Sequence, residues 1–226
     1  MELNVVKTKK TLLQKAKLFF IKPSELFKDY LDKPAWALKL LIISIVTALY
    51  TYGTKILGKD LFAEMMEEKA AAMPPEQAEA VRGSIAFMNS PAMNIGSAAI
   101  AAVSMIVIML LVSLVYMVFI RAFKGNIKYS QVVSVYTLAY MATAIGLVVK
   151  LAFMYLTGNL LYIDMSPTYL DALYNSLDVF VIWQSILMVF GISAVSGISE
   201  KKSTVIVISM WLVSLAISLG SVMLAK

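Results

Sequence analysis

The sequence predicts an all-α, polytopic membrane protein, built as a bundle of five transmembrane helices. Its composition is 60% apolar and only 15% charged, with a mean hydropathy of +0.80. Globular domains are usually about 45–50% apolar and about 25% charged, so both departures indicate lipid as the solvent. Five stretches of the 226 residues are also long and apolar enough to cross a hydrocarbon core about 30 Å thick.

Residues 1–34 form the first predicted region, a basic and amphipathic segment on the cytoplasmic side. From Lys10 to Ile21, apolar residues recur at helical spacing with lysines between them. This pattern predicts a helix lying on the anionic cytoplasmic leaflet, although a helix packed on the spans has the same pattern. In the first case the headgroups would contact the basic side chains of this segment, Lys10, Lys15, Lys17 and Lys22.

Residues 35–226 form the second region, which contains the five spans. We predict them at 35–57, 95–120, 130–156, 173–198 and 204–224. The loop 58–93 is the one sizeable polar stretch, with six acidic residues against three basic ones. Its Pro74–Pro75 pair predicts two helices, the second of which would end at Gly83. A solvated acidic helix face accounts for its glutamates better than a metal site does.

Basic residues predict the orientation of the bundle. Counted on alternate sides of the spans, thirteen Lys and Arg residues fall on the side of the N-terminus and four on the other. Cytoplasmic loops carry the excess of Lys and Arg, so we expect the N-terminus in the cytoplasm and the C-terminus outside. Because these residues lie at membrane edges, without a folded domain to present them, the charge does not indicate a nucleic-acid partner.

The sequence lacks the residues that most catalytic templates need. It has no cysteine and no histidine, which excludes disulfides, thiolate or imidazole metal sites and catalysis by Cys or His. It has no glycine-rich phosphate loop, and one aspartate within a predicted span where an intramembrane aspartyl protease needs two. We therefore expect no enzyme, no cofactor and no metal.

Apart from Lys39 and Lys55 near the two ends of the first span, two ionisable residues lie within predicted spans, Lys150 in the third and Asp178 in the fourth. Such residues are costly in lipid and are functional candidates. Counting along the helices places both near the outer interface, where they could form an ion pair. The alternatives are that Lys150 extends to the outer headgroups and that Asp178 caps or flanks its helix.

Three stretches carry a resemblance to a known family. The first is KPSELFKDYLDKPAWALKLLI, the second FKGNIKYSQVVSVYTLAYMATAIG, in which Gly125 indicates a tight turn, and the third LDVFVIWQSILMVFGISAVSGISEKK. In this order, with five spans, they resemble the Yip1 domain family from about Lys22 to Gly220. The third stretch has Asp178, Trp183, Gly191 and Ser199 where the family has an Asp-x-φ-x-x-Trp…Gly…Ser pattern, φ being an apolar residue.

The resemblance implies a non-enzymatic protein of the cell membrane, or of the ER or Golgi membrane if the source is eukaryotic. Eukaryotic relatives act in vesicle traffic and contact Rab-type GTPases. This chain lacks their long cytoplasmic region with its Asp-Leu-Tyr-Gly-Pro stretch and is similar to the short prokaryotic members. We expect a scaffold that binds anionic lipids of the cytoplasmic leaflet, a protein partner or a second copy. The alternative is a small transporter or channel with a polar path near Lys150 and Asp178.

Packing between helices is the other expected role of single residues. Small residues four apart, such as Ala142 with Gly146 and Ser193 with Gly197, let helix backbones approach each other in lipid. We expect Gly191 and Gly197 to lie at such contacts, and Trp183 to lie just below the outer interface or against a neighbouring helix. The pattern does not separate contacts within one chain from contacts between copies.

Overall fold

The computed structural model describes residues 11–160 and 168–224, and within these ranges its regular structure is helical. A 3₁₀ turn, Lys28–Tyr30, separates the second helix from the third. In chain order the α-helices are α1 Leu12–Ile21, α2 Pro23–Phe27, α3 Ala37–Leu57, α4 Lys59–Ala71, α5 Pro75–Met88, α6 Pro91–Ala122, α7 Tyr129–Thr157, α8 Tyr169–Ser176, α9 Val179–Ser196 and α10 Glu200–Leu224.

Five of these helices, α3, α6, α7, α9 and α10, are long and apolar enough to cross a membrane, so the predicted five-span architecture is confirmed. Each overlaps one predicted span. With 32 residues, α6 is about 48 Å long at 1.5 Å per residue and exceeds the hydrocarbon core. A helix of that length has to tilt or to extend into the interface.

The predicted fourth span, 173–198, is wrong at its beginning. The helical run is divided there: α8 ends at Ser176 and α9 begins at Val179. Asp178 is the N-cap of α9, and its Oδ1 accepts a hydrogen bond of 2.7 Å from the backbone N–H of Phe180. A carboxylate at this position satisfies a first-turn N–H that has no partner within the helix. Hydropathy alone does not show such a break.

One glycine prediction differs from the structure, and the predicted tight turn at Gly125 is present but needs the glycine for another reason. Gly83 lies inside α5, which continues to Met88, because a single glycine costs a helix only about 1 kcal/mol. In the loop between α6 and α7, Lys124 and not Gly125 takes the left-handed backbone conformation, with φ of 64°. Gly125 is needed for space, since a Cβ atom there would lie 2.6 Å from Cγ2 of Ile120.

The third span, α7, is the central helix of the bundle. It packs against α3, α6 and α9, and 56% of its apolar stretch is buried, against 17–33% in the other four spans. The last span, α10, packs on α9 and α8, and the N-terminal α2 also packs on α9. The remaining apolar surface of the spans faces outwards, as expected for helices solvated by lipid.

Glycines allow α7 and α9 to approach each other closely. A Cβ at Gly146 of α7 would lie 2.6 Å from Cγ of Phe180 on α9. A Cβ at Gly191 of α9 would lie 2.5 Å from Cγ1 of Val135 on α7 and 3.0 Å from Cε1 of Phe27. Both positions therefore exclude a larger side chain unless a helix moves.

We predict that Gly191→Leu lowers the free energy of unfolding by about 1–3 kcal/mol, the usual cost of inserting methylene groups into a packed contact. The matched control is Gly220→Leu, because a Cβ at Gly220 meets no atom within 4 Å. Both substitutions replace a helical glycine by leucine, so they share the gain in helix propensity. Thermal and denaturant unfolding in micelles measure the difference, and equal stability of the two variants would contradict the packing described.

Candidate functional site: a charged pair and a basic rim

The structure brings Lys150 and Asp178 together. Nζ of Lys150, on α7, lies 2.6 Å from Oδ2 of Asp178, and the two side chains are 17% and 13% exposed. The other carboxylate oxygen of Asp178, Oδ1, accepts the N-cap hydrogen bond of α9 from Phe180. Asp178 therefore ties α9 to α7 and starts α9 at the same time. The pair and the cap, which were alternatives at the level of the sequence, coexist here.

A polar contact lies deeper in the same helix interface. Thr143 of α7 donates a hydrogen bond from Oγ1 to Oε1 of Gln184 on α9, with a distance of 2.5 Å. Both residues are half-buried within apolar helices. Hydrogen bonds of this kind contribute to helix association in membranes, on average by less than 1 kcal/mol. Together with the charged pair, it fixes the register of α9 against α7.

Trp183 contacts the N-terminal segment of the chain. Its ring stacks on Phe20 of α1, with centroids 6.4 Å apart and planes inclined by 9°. Trp183 lies thirteen residues before the end of α9, so this contact is about 20 Å along the helix from that end. Helix α1 thus packs beside a span, with Phe19 buried, while Lys15, Lys17 and Lys22 remain exposed. Lys10 lies outside the described residues.

The two predicted packing glycines differ in role. Gly191 lies at the contact of α9 with α7 and α2 described above. Gly197 has φ of +77° at the C-cap of α9, and a Cβ there would meet open space. Gly197 is therefore explained by its left-handed backbone, which glycine adopts without strain, and not by close packing.

Lysines collect at the end of the bundle where α7 begins and α9 ends. The loop between α6 and α7 is joined to α9 by a 3.0 Å hydrogen bond from the backbone N–H of Asn126 to the carbonyl of Ser196. Gln131 at the start of α7 donates to the carbonyl of Leu31, also at 3.0 Å, which fixes the N-terminal segment to the same end. We call the exposed lysines of the two loops and of the start of α10 the basic rim: Lys124, Lys128, Lys201 and Lys202.

The family model of the Yip1 domain matches residues 17–222, nearly the whole chain. The chain belongs to the Yip1 domain family. A curated relative of this Yip1 domain, membrane protein YknW of Bacillus subtilis (strain 168), is 25% identical over 232 residues, which cover 98% of this chain and 96% of that protein. No solved structure matches the chain significantly. The protein is thus a multi-pass membrane protein, and its bacterial relative supports a location in the cell membrane.

Sequence reasoning missed two polar residues of this Yip1 domain. Gln184 stands in an apolar run, which is a usable signal, but the sequence does not show that Thr143 is its partner. Asn94, only 4% exposed, lies in the first turn of α6, close to where Lys55 of α3 donates to Ser97. An amide within an apolar helix could have marked both sites, because buried amides need hydrogen-bond partners.

We predict that Lys150→Met lowers the free energy of unfolding by about 3 kcal/mol, because it leaves a partly buried carboxylate without its counter-ion. Asp178→Asn should also destabilise, and it is the better partner variant because asparagine can still cap α9. The double variant should be less destabilised than the sum of the two single variants, by at least about 1 kcal/mol. Additive losses in micelle unfolding experiments would contradict a direct interaction.

Proposed function

We propose that this Yip1 domain is a non-catalytic membrane scaffold that gathers anionic lipids at its basic rim. The observation that carries the proposal is the rim itself: exposed lysines held on a rigid frame at one end of the bundle. Within the two connections that form the rim, residues 123–128 and 197–202, the one carboxylate is Glu200. These two connections therefore carry four lysines against one carboxylate.

Electrostatics favours lipid headgroups as the ligand of the rim. A lysine near an anionic leaflet contributes about 1 kcal/mol of attraction, which falls off within a Debye length of about 8 Å at physiological salt. Four lysines fixed by the bundle lose less conformational freedom on binding than lysines on a flexible tail would. The exposed Lys15 and Lys17 add positive charge on the N-terminal segment, whereas Lys22 is paired with Glu25 at 3.4 Å.

The opposite end of the bundle has the contrary charge. Helices α4 and α5 carry six carboxylates against three basic residues, and one of the three, Arg82, binds Glu67 at 2.8 Å. The exposed carboxylates of α4 and α5 repel anionic headgroups from the outer surface of these two helices, whereas the rim attracts them. This asymmetry supports lipid binding at the rim and agrees with the orientation predicted from the loops, in which the rim faces the cytoplasm.

Transport is the second candidate function, with Lys150 and Asp178 as its polar path. In the structure the two charges neutralise each other, and Asp178 also caps α9. A carboxylate that carries ions has to exchange partners, which these contacts oppose. Proton or ion flux into proteoliposomes that is abolished by Asp178→Asn would replace the scaffold proposal with a transporter.

The rim is tested with spin-labelled lipids in reconstituted vesicles. We predict that the double variant Lys201→Gln, Lys202→Gln weakens the preference of the protein for phosphatidylglycerol over phosphatidylcholine several-fold. The preference of the unchanged protein should fall with added salt. The matched control is Lys59→Gln, Lys69→Gln, which removes the same charge from exposed sites at the acidic end. Equal loss in both double variants, or no loss in either, would overturn the proposal.

A further inference from the structure

A largely apolar cavity with a few polar groups lies at the acidic end of the bundle, where α3 passes into α4 and α5 into α6. Its volume is about 200 Å³, several times the roughly 30 Å³ that a water molecule fills in the liquid. The cavity combines one cationic group, two amides and an apolar side. Its lining residues are Thr54, Lys55, Gly58, Phe62, Met88, Asn89 and Asn94.

The ammonium group of Lys55 is held at this cavity. Its Nζ donates to Oγ of Ser97 at 2.7 Å, and Ser97 in turn donates to the carbonyl of Met93 at 2.8 Å. An ammonium has three donors, so two remain for a ligand. Among residues 11–160 and 168–224, no carboxylate lies within 4 Å of this nitrogen, and the lining contains no Asp or Glu. The half-buried charge is therefore available to an anion.

Asn94 supplies the second polar group. Its side chain is 4% exposed, and its amide nitrogen donates to the carbonyl of Asn89 at 3.3 Å. The side-chain oxygen accepts no hydrogen bond from the part of the chain that the structure describes. This oxygen is not fully buried, and Asn94 lines the cavity, so the oxygen can accept a hydrogen bond from a ligand there.

We propose that the cavity binds a phosphate ester that also carries a hydroxyl or amine group. The phosphate contacts Lys55, through a charge-assisted hydrogen bond, and the hydroxyl or amine donates to the side-chain oxygen of Asn94. Phe62 and Met88 contact the apolar part of the ligand. Two sources share this chemistry: the headgroup of a phospholipid such as phosphatidylglycerol, and a soluble phosphate ester such as glycerol 3-phosphate.

The chemistry of the ligand is tested on the unchanged protein in micelles, from its thermal unfolding. A ligand that binds the folded state raises the unfolding temperature as its concentration rises. We expect short-chain phosphatidylglycerol to do so and the matching diacylglycerol, which lacks the phosphate, not to do so. If glycerol 3-phosphate stabilises the protein as well, the ligand is a soluble phosphate ester. If only phosphatidylglycerol stabilises it, the ligand is the lipid. If neither phosphate compound stabilises the protein, the proposal is overturned.

The location is tested with variants in the same assay. Lys55→Met should weaken phosphate-ester binding at least about tenfold, and Lys55→Arg should restore most of it. Lys59→Met is the matched control, because Lys59, the first residue of α4, is exposed and does not line the cavity. Asn94→Leu provides a second loss of binding if Lys55→Met does not fold. Equal affinity of the Lys55→Met and Lys59→Met proteins would overturn the assignment.

This site is independent of the basic rim, which lies at the other end of the bundle. The Lys201→Gln, Lys202→Gln protein should therefore keep the stabilisation by phosphate ester that the Lys55→Met protein loses. If the rim variant loses this stabilisation and the Lys55→Met variant keeps it, the ligand binds at the rim and the cavity proposal is wrong. Failure of one proposal is thus distinguishable from failure of the other.

Discussion

In the hydrocarbon core of a membrane, no water is present to satisfy backbone N–H and C=O groups, so a chain crosses only with these groups bonded internally. The five helical spans of this protein follow from that constraint. Side-chain hydroxyls obey it too: many in the spans donate to a carbonyl one turn earlier in their own helix, as Ser44, Thr47, Ser113, Thr137 and Ser196 do. Because these hydroxyls bond within their own helix, close contact between helices depends on small residues that let the backbones approach. Gly146 and Gly191 are such residues.

Polar contacts between elements concentrate near the two ends of the bundle. At one end Lys150 binds Asp178 and Lys55 binds Ser97; at the other Gln131 binds the carbonyl of Leu31. Between the ends, the contact of α7 with α9 is mostly apolar. Such a bundle presents two chemically different faces on a stiff frame, which supports binding at the faces as its task. In that account the charged pair is a structural link, and the rim and the cavity are the places where ligands bind.

The number of spans could be predicted because each span is recognised from the hydropathy of about twenty residues together. A single polar residue changes that average little. The Lys150–Asp178 pair was foreseeable too, since depth along two consecutive helices can be counted. The break before Asp178 was not, because one capping hydrogen bond decides it within an apolar run. The stacking of Phe20 on Trp183 and the cavity at Lys55 and Asn94 could not be predicted either. Those depend on how separate helices meet, which the spacing of residues in one helix does not encode.

We predict that five crossings place the basic rim in the cytoplasm and the acidic helices outside. Because the sequence contains no cysteine, a single introduced cysteine reports on one position without background. Gln77→Cys on α5 and Asn126→Cys beside the rim are exposed sites at opposite ends of the bundle. A maleimide that does not cross membranes should label position 77 in intact cells and position 126 only after the cells are permeabilised. The reverse pattern, or labelling of both positions in intact cells, would contradict the account.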